Sequence, residues 1–401
     1  MHLLFVHDHR FVRGAEGRLY TAGSFPAAVW DRYLRHFDSL TVIARDGGAI
    51  ASGVQLALSN HPLVDFAFAP NLGTLRQLLR PSKAARGQMQ AAIEEADAVV
   101  ARLPSELGLL AVKTARKLGK PYAVEVVGCA WDGFVHHGSP LARLYAPLFF
   151  YRMRRAVAKA PFALYVTSSW LQRRYPSQAI SSFASNVEIA PLEESVLAER
   201  GKRLKQIQEG RLPKLGTVAA LTVKTKGIQT AIGAVAKLRS EGLALSYSVL
   251  GPGNPEPWQA LARTAGVQDL VTFDGTREAG EGVRQWLDQI DIHLQPSLQE
   301  GLPRATIEAM SRGVACIGST CGGIPELLPA DRTHRPGSVS GLADCIRKLV
   351  RDPLKIVDAS EADRELSRTF HTEVLRARRD QVYASLRRAA ENALSRGGRG
   401  E

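Results

Sequence analysis

DIHLQPSLQEGLPRATIEAMSRGVACIG, residues 291–318, contains one whole strand–helix–strand unit of a parallel α/β sheet. Residues 291–295 and 314–318 are short apolar runs of strand type. Between them Pro296 ends the first run, a loop carries Glu300 and Gly301, and a helix opens at Pro303 and runs to Gly313. Proline suits the first helical turn, because the N–H it lacks would find no partner there. A crossover of this length carries a helix and returns the chain parallel to the first strand.

The same rhythm extends in both directions. On the C-terminal side of the chain, strands are expected at 215–221, 244–250 and 270–273, with a helix over 227–241 that Gly242 ends. In the first half, strands are expected at 2–7, 39–44, 97–103, 121–127, 163–167 and 187–190, the last ending at Pro191. Helical patterns occupy 26–37 and 106–118, the second closed by Gly119 and Pro121. Residues 192–214 are polar, charged and free of strand signals, so they read as a linker with a surface helix. The chain therefore divides into an N-terminal Rossmann-like domain over 1–191, the linker, and a C-terminal Rossmann-like domain over 215–360. The expected architecture is α/β, two doubly wound domains facing a central cleft. Residues 361–401 form a helical segment rich in Arg and Ala, which either packs back on the N-terminal domain or frays as a basic tail.

Length agrees with two domains, since 401 residues exceed a single hydrophobic core. The formal net charge of +13 suits nucleic acid, an anionic membrane surface or a phosphorylated substrate, and a coding bias toward Arg explains it equally well. Four cysteines, at 129, 316, 321 and 345, form no CxxC pair, which argues against a disulfide framework or a structural zinc site. The opening MHLLFVHDHR reaches charge too soon for a signal peptide, and no run approaches the ~18 apolar residues that span a bilayer. A cytoplasmic protein is expected, soluble or peripheral at the inner face of the membrane.

Chemistry concentrates in 296–313. The start of the helix presents the amides of Gly301, Leu302 and Arg304 toward the top of the sheet, where free donors and the helix dipole favour an anion or sugar oxygens. Glu300 lies in the loop and Glu308 about one and a half turns inside the helix, so the two carboxylates reach different parts of one elongated ligand. Carboxylates accept paired hydrogen bonds from vicinal hydroxyls, as ribose and hexose rings offer them. Each residue also has a plain alternative: Glu300 as a solvated loop carboxylate, and Glu308 as the partner of Arg304 one turn earlier.

The whole string resembles the retaining glycosyltransferases of family 4, which have the GT-B fold. The resemblance rests on the Glu300-x7-Glu308 spacing, Gly301-Leu302-Pro303 after the first glutamate and Glu308-Ala309-Met310 at the second. It continues through Gly313, Gly322-Gly323-Ile324-Pro325-Glu326-Leu327, Lys226-Gly227 and Gly251-Pro252-Gly253, and covers most of 215–350. It implies a hexosyltransferase that moves a sugar from a UDP- or GDP-sugar to a glycan or polyprenyl-pyrophosphate-linked acceptor, of the bacterial surface-polysaccharide type. Glu300 would hold donor-sugar hydroxyls and Glu308 the ribose. The amides of 301–304, including Pro303's neighbours, would meet sugar or pyrophosphate, and Lys226 would neutralise the pyrophosphate. Thr276, beside Gly275, would lie against the nucleobase. No metal or cofactor is implied; no Asp-x-Asp pair, Walker A string, HExxH or GxSxG occurs.

Two positions depart from the family pattern. Ala220 stands where many members carry Arg, leaving Lys224 as a substitute cation without the bidentate fork. After the strand at 121–127 the chain reads Gly128-Cys129 in place of a histidine, with His136 and His137 following shortly. These departures favour one rival, a non-catalytic glycosyltransferase-like binding subunit; another, a GT-B sugar-nucleotide epimerase, shares the fold but needs an acid-base set that the sequence does not show. In the first half, Gly14 and Gly17 follow strand one, where amides approach a donor phosphate or a turn simply needs positive φ. Arg102 either faces the cleft or makes a structural ion pair. Residues 143–159, RLYAPLFFYRMRRAVAK, mix aromatics with Arg143, Arg152, Arg154, Arg155 and Lys159. They read as an anionic-membrane contact or as a helix packed on the sheet with a solvated basic face. No nucleic-acid partner is expected.

Overall fold

A computed structural model describes residues 1–23, 25–50, 56–70, 82–135 and 140–397. It divides into two compact units, Met1–Ala184 with Arg376–Glu401, and Ser185–Leu375.

The first unit is built on strands β1 (His2–Arg13), β2 (Leu19–Thr21), β3 (Ser39–Ala49), β4 (Ala57–Leu58), β5 (Val64–Ala69), β6 (Ala98–Leu103), β7 (Tyr122–Val126), β8 (Phe162–Tyr165) and β9 (Ile180–Phe183). Its parallel part runs β5-β3-β1-β6-β7-β8-β9. Helices Lys83–Glu95, Glu106–Lys117 and Pro140–Ala158 contribute buried side chains to the same core. Strands covered on both faces are apolar throughout, and this is why they were readable as short continuous runs. β1 is twice its expected length. Its last residues stay paired with β3 as far as Arg13 and also open a hairpin, pairing Val12 with Tyr20 and Arg13 with Leu19. The segment 26–37 is a 3-10 turn, Ala27–Val29, followed by the single turn Asp31–Leu34, which the buried Tyr33 and the buried Trp30 just before it hold against the sheet. Residues 187–190 form no strand; Ile189 makes one isolated bridge to His371.

The carboxylate of Glu125, on β7, is buried in this unit. It accepts hydrogen bonds from Tyr33 at 2.8 Å, from Arg102 at 2.8 Å and from the hydroxyl of Tyr383. A buried charge persists only with such partners. Arg102 is therefore engaged in a structural ion pair. Tyr383 belongs to the final helix, Thr372–Gly397, which buries Val382, Leu386 and Ala390 as well.

In the second unit β10 (Leu215–Val218), β11 (Tyr247–Leu250), β12 (Val271–Phe273), β13 (Ile292–Gln295), β14 (Ala315–Ser319) and β15 (Thr333–His334) are all parallel, in the order β12-β11-β10-β13-β14-β15. The order reverses between β10 and β13, and open α/β sheets bind ligands at the carboxyl ends of the strands flanking such a reversal.

The segment expected to link two domains is instead integral to this unit. Its helix, Glu194–Gln208, sends the buried Arg200 onto the carbonyls of Arg312 at 3.1 Å, Ile290 at 2.6 Å and Leu287 at 3.1 Å. One guanidinium thus caps the ends of two helices, where carbonyls lack partners. No described helix is long and apolar enough to cross a membrane.

Candidate active site

Lys226 and Glu300 come from the two loops that leave β10 and β13, the strands at the reversal point. Lys226 closes the 3-10 turn Lys224–Lys226, and Gly227, at φ 78°, caps the helix Ile228–Ser240. A Cβ on Gly227 would lie 1.9 Å from the carbonyl oxygen of Pro296, so only glycine lets the two loops approach. The amide of Leu298 donates to the carbonyl of Thr225 at 2.7 Å and ties them together. The ammonium of Lys226 then lies 2.8 and 3.0 Å from the two carboxylate oxygens of Glu300. An ammonium has three N–H donors and the carboxylate takes two, so an anion can add to this pair without displacing it.

Pro303 is the N-cap of the helix Arg304–Ser311, one position earlier than the sequence suggested, and Gly313 at φ 64° ends the turn beyond it. Four residues into this helix, Glu308 is half-buried. Burial pushes its carboxyl above the ordinary carboxylate range, and the charges of Arg304 and Arg284 offset this only in part. Arg304 itself is exposed. A carboxylate held at such a cost suits a group whose hydrogen-bonding partner arrives with the ligand.

Glu308→Gln is accordingly expected to raise stability near neutral pH while weakening ligand binding. With the folded pKa above the unfolded one, the folded state binds more protons between the two values. Stability is therefore lost as pH rises through that window, and stays lost above it. Thermal midpoints measured across pH for both proteins should diverge as pH rises above the ordinary carboxylate value; parallel curves would contradict the assignment.

Beneath the Glu300 loop lies a buried polar scaffold that sequence reading missed. Gln295 donates to Ser297 Oγ at 2.8 Å and accepts from Thr306 at 3.2 Å, and Ser319 Oγ donates to the carbonyl of Ser297 at 2.6 Å. His293, held neutral by burial with its pKa lowered to about 4, completes the row against Gln295 at 3.3 Å. The signal was present as polar residues inside an apolar strand, and it yields only once the loop above is known.

The remaining expected residues distribute as follows. Gly301 accepts the amide of Gly323 at 2.6 Å, and Leu302 is half-buried at the helix start. Lys224 is exposed on the Lys226 turn. Thr276 is exposed beyond β12, after Gly275 at φ 68°, whose carbonyl accepts the amide of Gly251 at 2.7 Å. Gly17 lies in the first unit, at φ 72° in the β1–β2 hairpin turn that Gly14 N closes onto Arg18 O at 2.8 Å. Its positive φ is one that glycine adopts without strain. His136 and His137 lie outside the described residues. In the helix Pro140–Ala158, Arg152 is pinned to Glu106 at 2.8 and 3.0 Å, so it is no free surface cation; Arg154 and Arg155 are exposed.

Residues 212–352 match the family described as glycosyl transferases group 1. Protein CapJ of Staphylococcus aureus is 29% identical over 350 residues, 87% of this chain and 86% of that protein. The amylovoran biosynthesis glycosyltransferase AmsK of Erwinia amylovora is 37% identical over 119 residues, which spans 28% of this chain and 29% of AmsK. The crystal structure of HepE from Anabaena in complex with UDP and glucose covers 98% of this chain and 99% of that chain, at a TM-score of 0.61 and 16% identity. The likeness in structure shows the fold, two mainly parallel α/β sheets of the GT-B kind. With the family match lying across the loops of Lys226 and Glu300, the chain is a glycosyltransferase.

Proposed function

We propose that the second unit binds a UDP- or GDP-sugar and that the protein transfers the sugar, with retention and without a metal, to a glycan or polyprenyl-pyrophosphate-linked acceptor in cell-surface polysaccharide synthesis. The observation that carries this reading is the Lys226–Glu300 pair, brought together from separate loops at the reversal point of a doubly wound sheet. In it, Lys226 neutralises the leaving diphosphate, with Lys224 as a second cation, and Glu300 holds sugar hydroxyls beside the amides of Gly301, Leu302 and Arg304. Pro303 sets the entry of the helix, Glu308 takes the ribose, and Thr276 borders the base. The bond between the sugar carbon and the diphosphate oxygen breaks as the acceptor oxygen bonds to that carbon, and the acceptor proton passes to the departing phosphate. HepE's complex with UDP and glucose supports a nucleotide-sugar donor for this fold. The relationship to AmsK, named for amylovoran biosynthesis, supports a place in polysaccharide synthesis.

Calorimetry with a panel of UDP- and GDP-sugars tests the donor. At least one should bind, and turnover of that sugar should persist in EDTA; binding of none removes the proposal. Ala220, where a bidentate arginine would be expected, favours a second reading, a binding subunit without activity. Donor affinity with no transfer to any acceptor and no donor hydrolysis would select it.

A further inference from the structure

The helix Pro140–Ala158 turns an apolar face outward. Leu141 is 63% exposed, Leu144 77%, Leu148 43% and Tyr151 61%. Their spacing of three and four residues aligns them in one stripe along three turns. The opposite face, with Tyr145, Phe149, Met153 and Val157, is buried in the first unit's core. A surface helix ordinarily turns polar groups to water, so an exposed apolar stripe marks a surface that another phase or molecule covers.

Charge selects what covers it. Residues 140–158 hold four arginines and no acid. Arg152 is taken by Glu106, but Arg143, Arg154 and Arg155 are exposed, and Lys159 follows directly. Arg143 and Arg154 rest against the carbonyls of Val135 at 3.2 Å and Arg174 at 3.1 Å, contacts that leave their charge uncompensated. Two copies of this chain meeting through the stripe about a twofold axis would set these cations against their own equivalents. Anionic headgroups above an acyl layer match both features.

Trp131, 38% exposed, packs edge-on against Phe150 at 6.4 Å and so stands beside the stripe. With Tyr151 it supplies the amphipathic rings that settle at a headgroup boundary.

We propose that the helix Pro140–Ala158 is a monotopic anchor. It lies in the plane of an anionic bilayer with Leu141, Leu144, Leu148 and Tyr151 in the acyl boundary and Arg143, Arg154 and Arg155 on phosphates. In a strand–helix–strand crossover the helix begins at the carboxyl edge of the sheet, so Leu141 and Leu144 mark the edge that β7 points to. Docking there sets that edge among headgroups, where a lipid-linked acceptor displays its saccharide. This last consequence rests on the acceptor proposed above; the docking itself does not.

The test uses the full chain with vesicles of phosphatidylcholine, alone or mixed with phosphatidylglycerol. Of the five tryptophans only Trp131 is exposed, so its emission reports insertion. The protein should sediment with the mixed vesicles, shift its emission to the blue and be quenched by brominated acyl chains. Leu144→Glu with Leu148→Glu should lower partitioning about tenfold or more, from the lost burial of two leucines. Arg154→Glu with Arg155→Glu should erase the preference for phosphatidylglycerol. Both variants should keep wild-type thermal midpoints and donor affinity. The proposal falls if the leucine variant binds vesicles as the wild type does, or if the wild type binds neither vesicle. It falls equally if the stripe instead holds a dimer that the leucine variant dissociates. Lost donor binding with vesicle binding intact would sink the transferase mechanism and leave the anchor standing.

Discussion

Lys226→Ala is expected to reduce sugar transfer by about 100- to 1,000-fold, the loss seen when one preorganised electrostatic donor is taken from a developing oxyanion. Charge grows on the leaving diphosphate as the sugar departs, so the lysine acts most strongly in the transition state and the loss should fall on kcat more than on KM. A second cost comes from Glu300. Its side chain is 11% exposed and both its oxygens rest on this ammonium, so alanine leaves a largely buried carboxylate without its cation. That cost appears in stability, and Glu300→Gln in the same background should recover part of it without recovering turnover. Lys226→Arg keeps the charge but brings a planar fork where a compact ammonium fits, and intermediate activity is expected. Initial rates with the donor found by calorimetry, beside thermal midpoints for all four proteins, separate the two costs. Wild-type turnover by Lys226→Ala would contradict the pyrophosphate role.

The Glu300 loop was legible from local sequence and Lys226 from the family resemblance, while the contact between them emerges only in the fold. Pro296, Gly301 and Pro303 punctuate the Glu300 loop, and apolar runs place both loops at strand ends. What escaped was set by long-range contact. Arg200 reads as one charge among many in a polar stretch, and only the folded chain shows it capping carbonyls about ninety residues away. The partnership of Tyr383 with Glu125 crosses 258 residues and has no periodicity to betray it. Strands β2 and β4, of three and two residues, are too short for alternation to register. In the helix Pro140–Ala158 the pattern held two apolar faces, and no property of the sequence says which one meets the sheet.

Gly322→Ala is expected to abolish donor binding, although residue 322 has no side chain to offer a ligand. Gly322 sits at φ 60°, where an L-residue pays roughly 1–2 kcal/mol. Its Cβ would fall 2.2 Å from the carbonyl oxygen of Glu300, 2.8 Å from that carbonyl's carbon and 3.0 Å from the oxygen of Gly301. All three are backbone atoms and cannot rotate away. The hydrogen bond from Gly323 to the carbonyl of Gly301, 2.6 Å long, forbids the two loops from simply parting. The Glu300 loop must therefore shift as a body, carrying its carboxylate off Lys226 and moving the amides at the start of the helix. Together with overpacking, worth about 1–3 kcal/mol, the stability cost should reach about 2–5 kcal/mol. Gly313→Ala is the matched control. It has nearly the same dihedral, φ 64°, but its Cβ would meet nothing closer than 3.4 Å. It should pay the left-handed strain alone and bind the donor normally. Denaturant unfolding gives the two stabilities and calorimetry the two affinities. If the variants lose donor affinity equally, or if Gly322→Ala binds like the wild type, then the approach of residue 322 to the Glu300 backbone is not what holds the site.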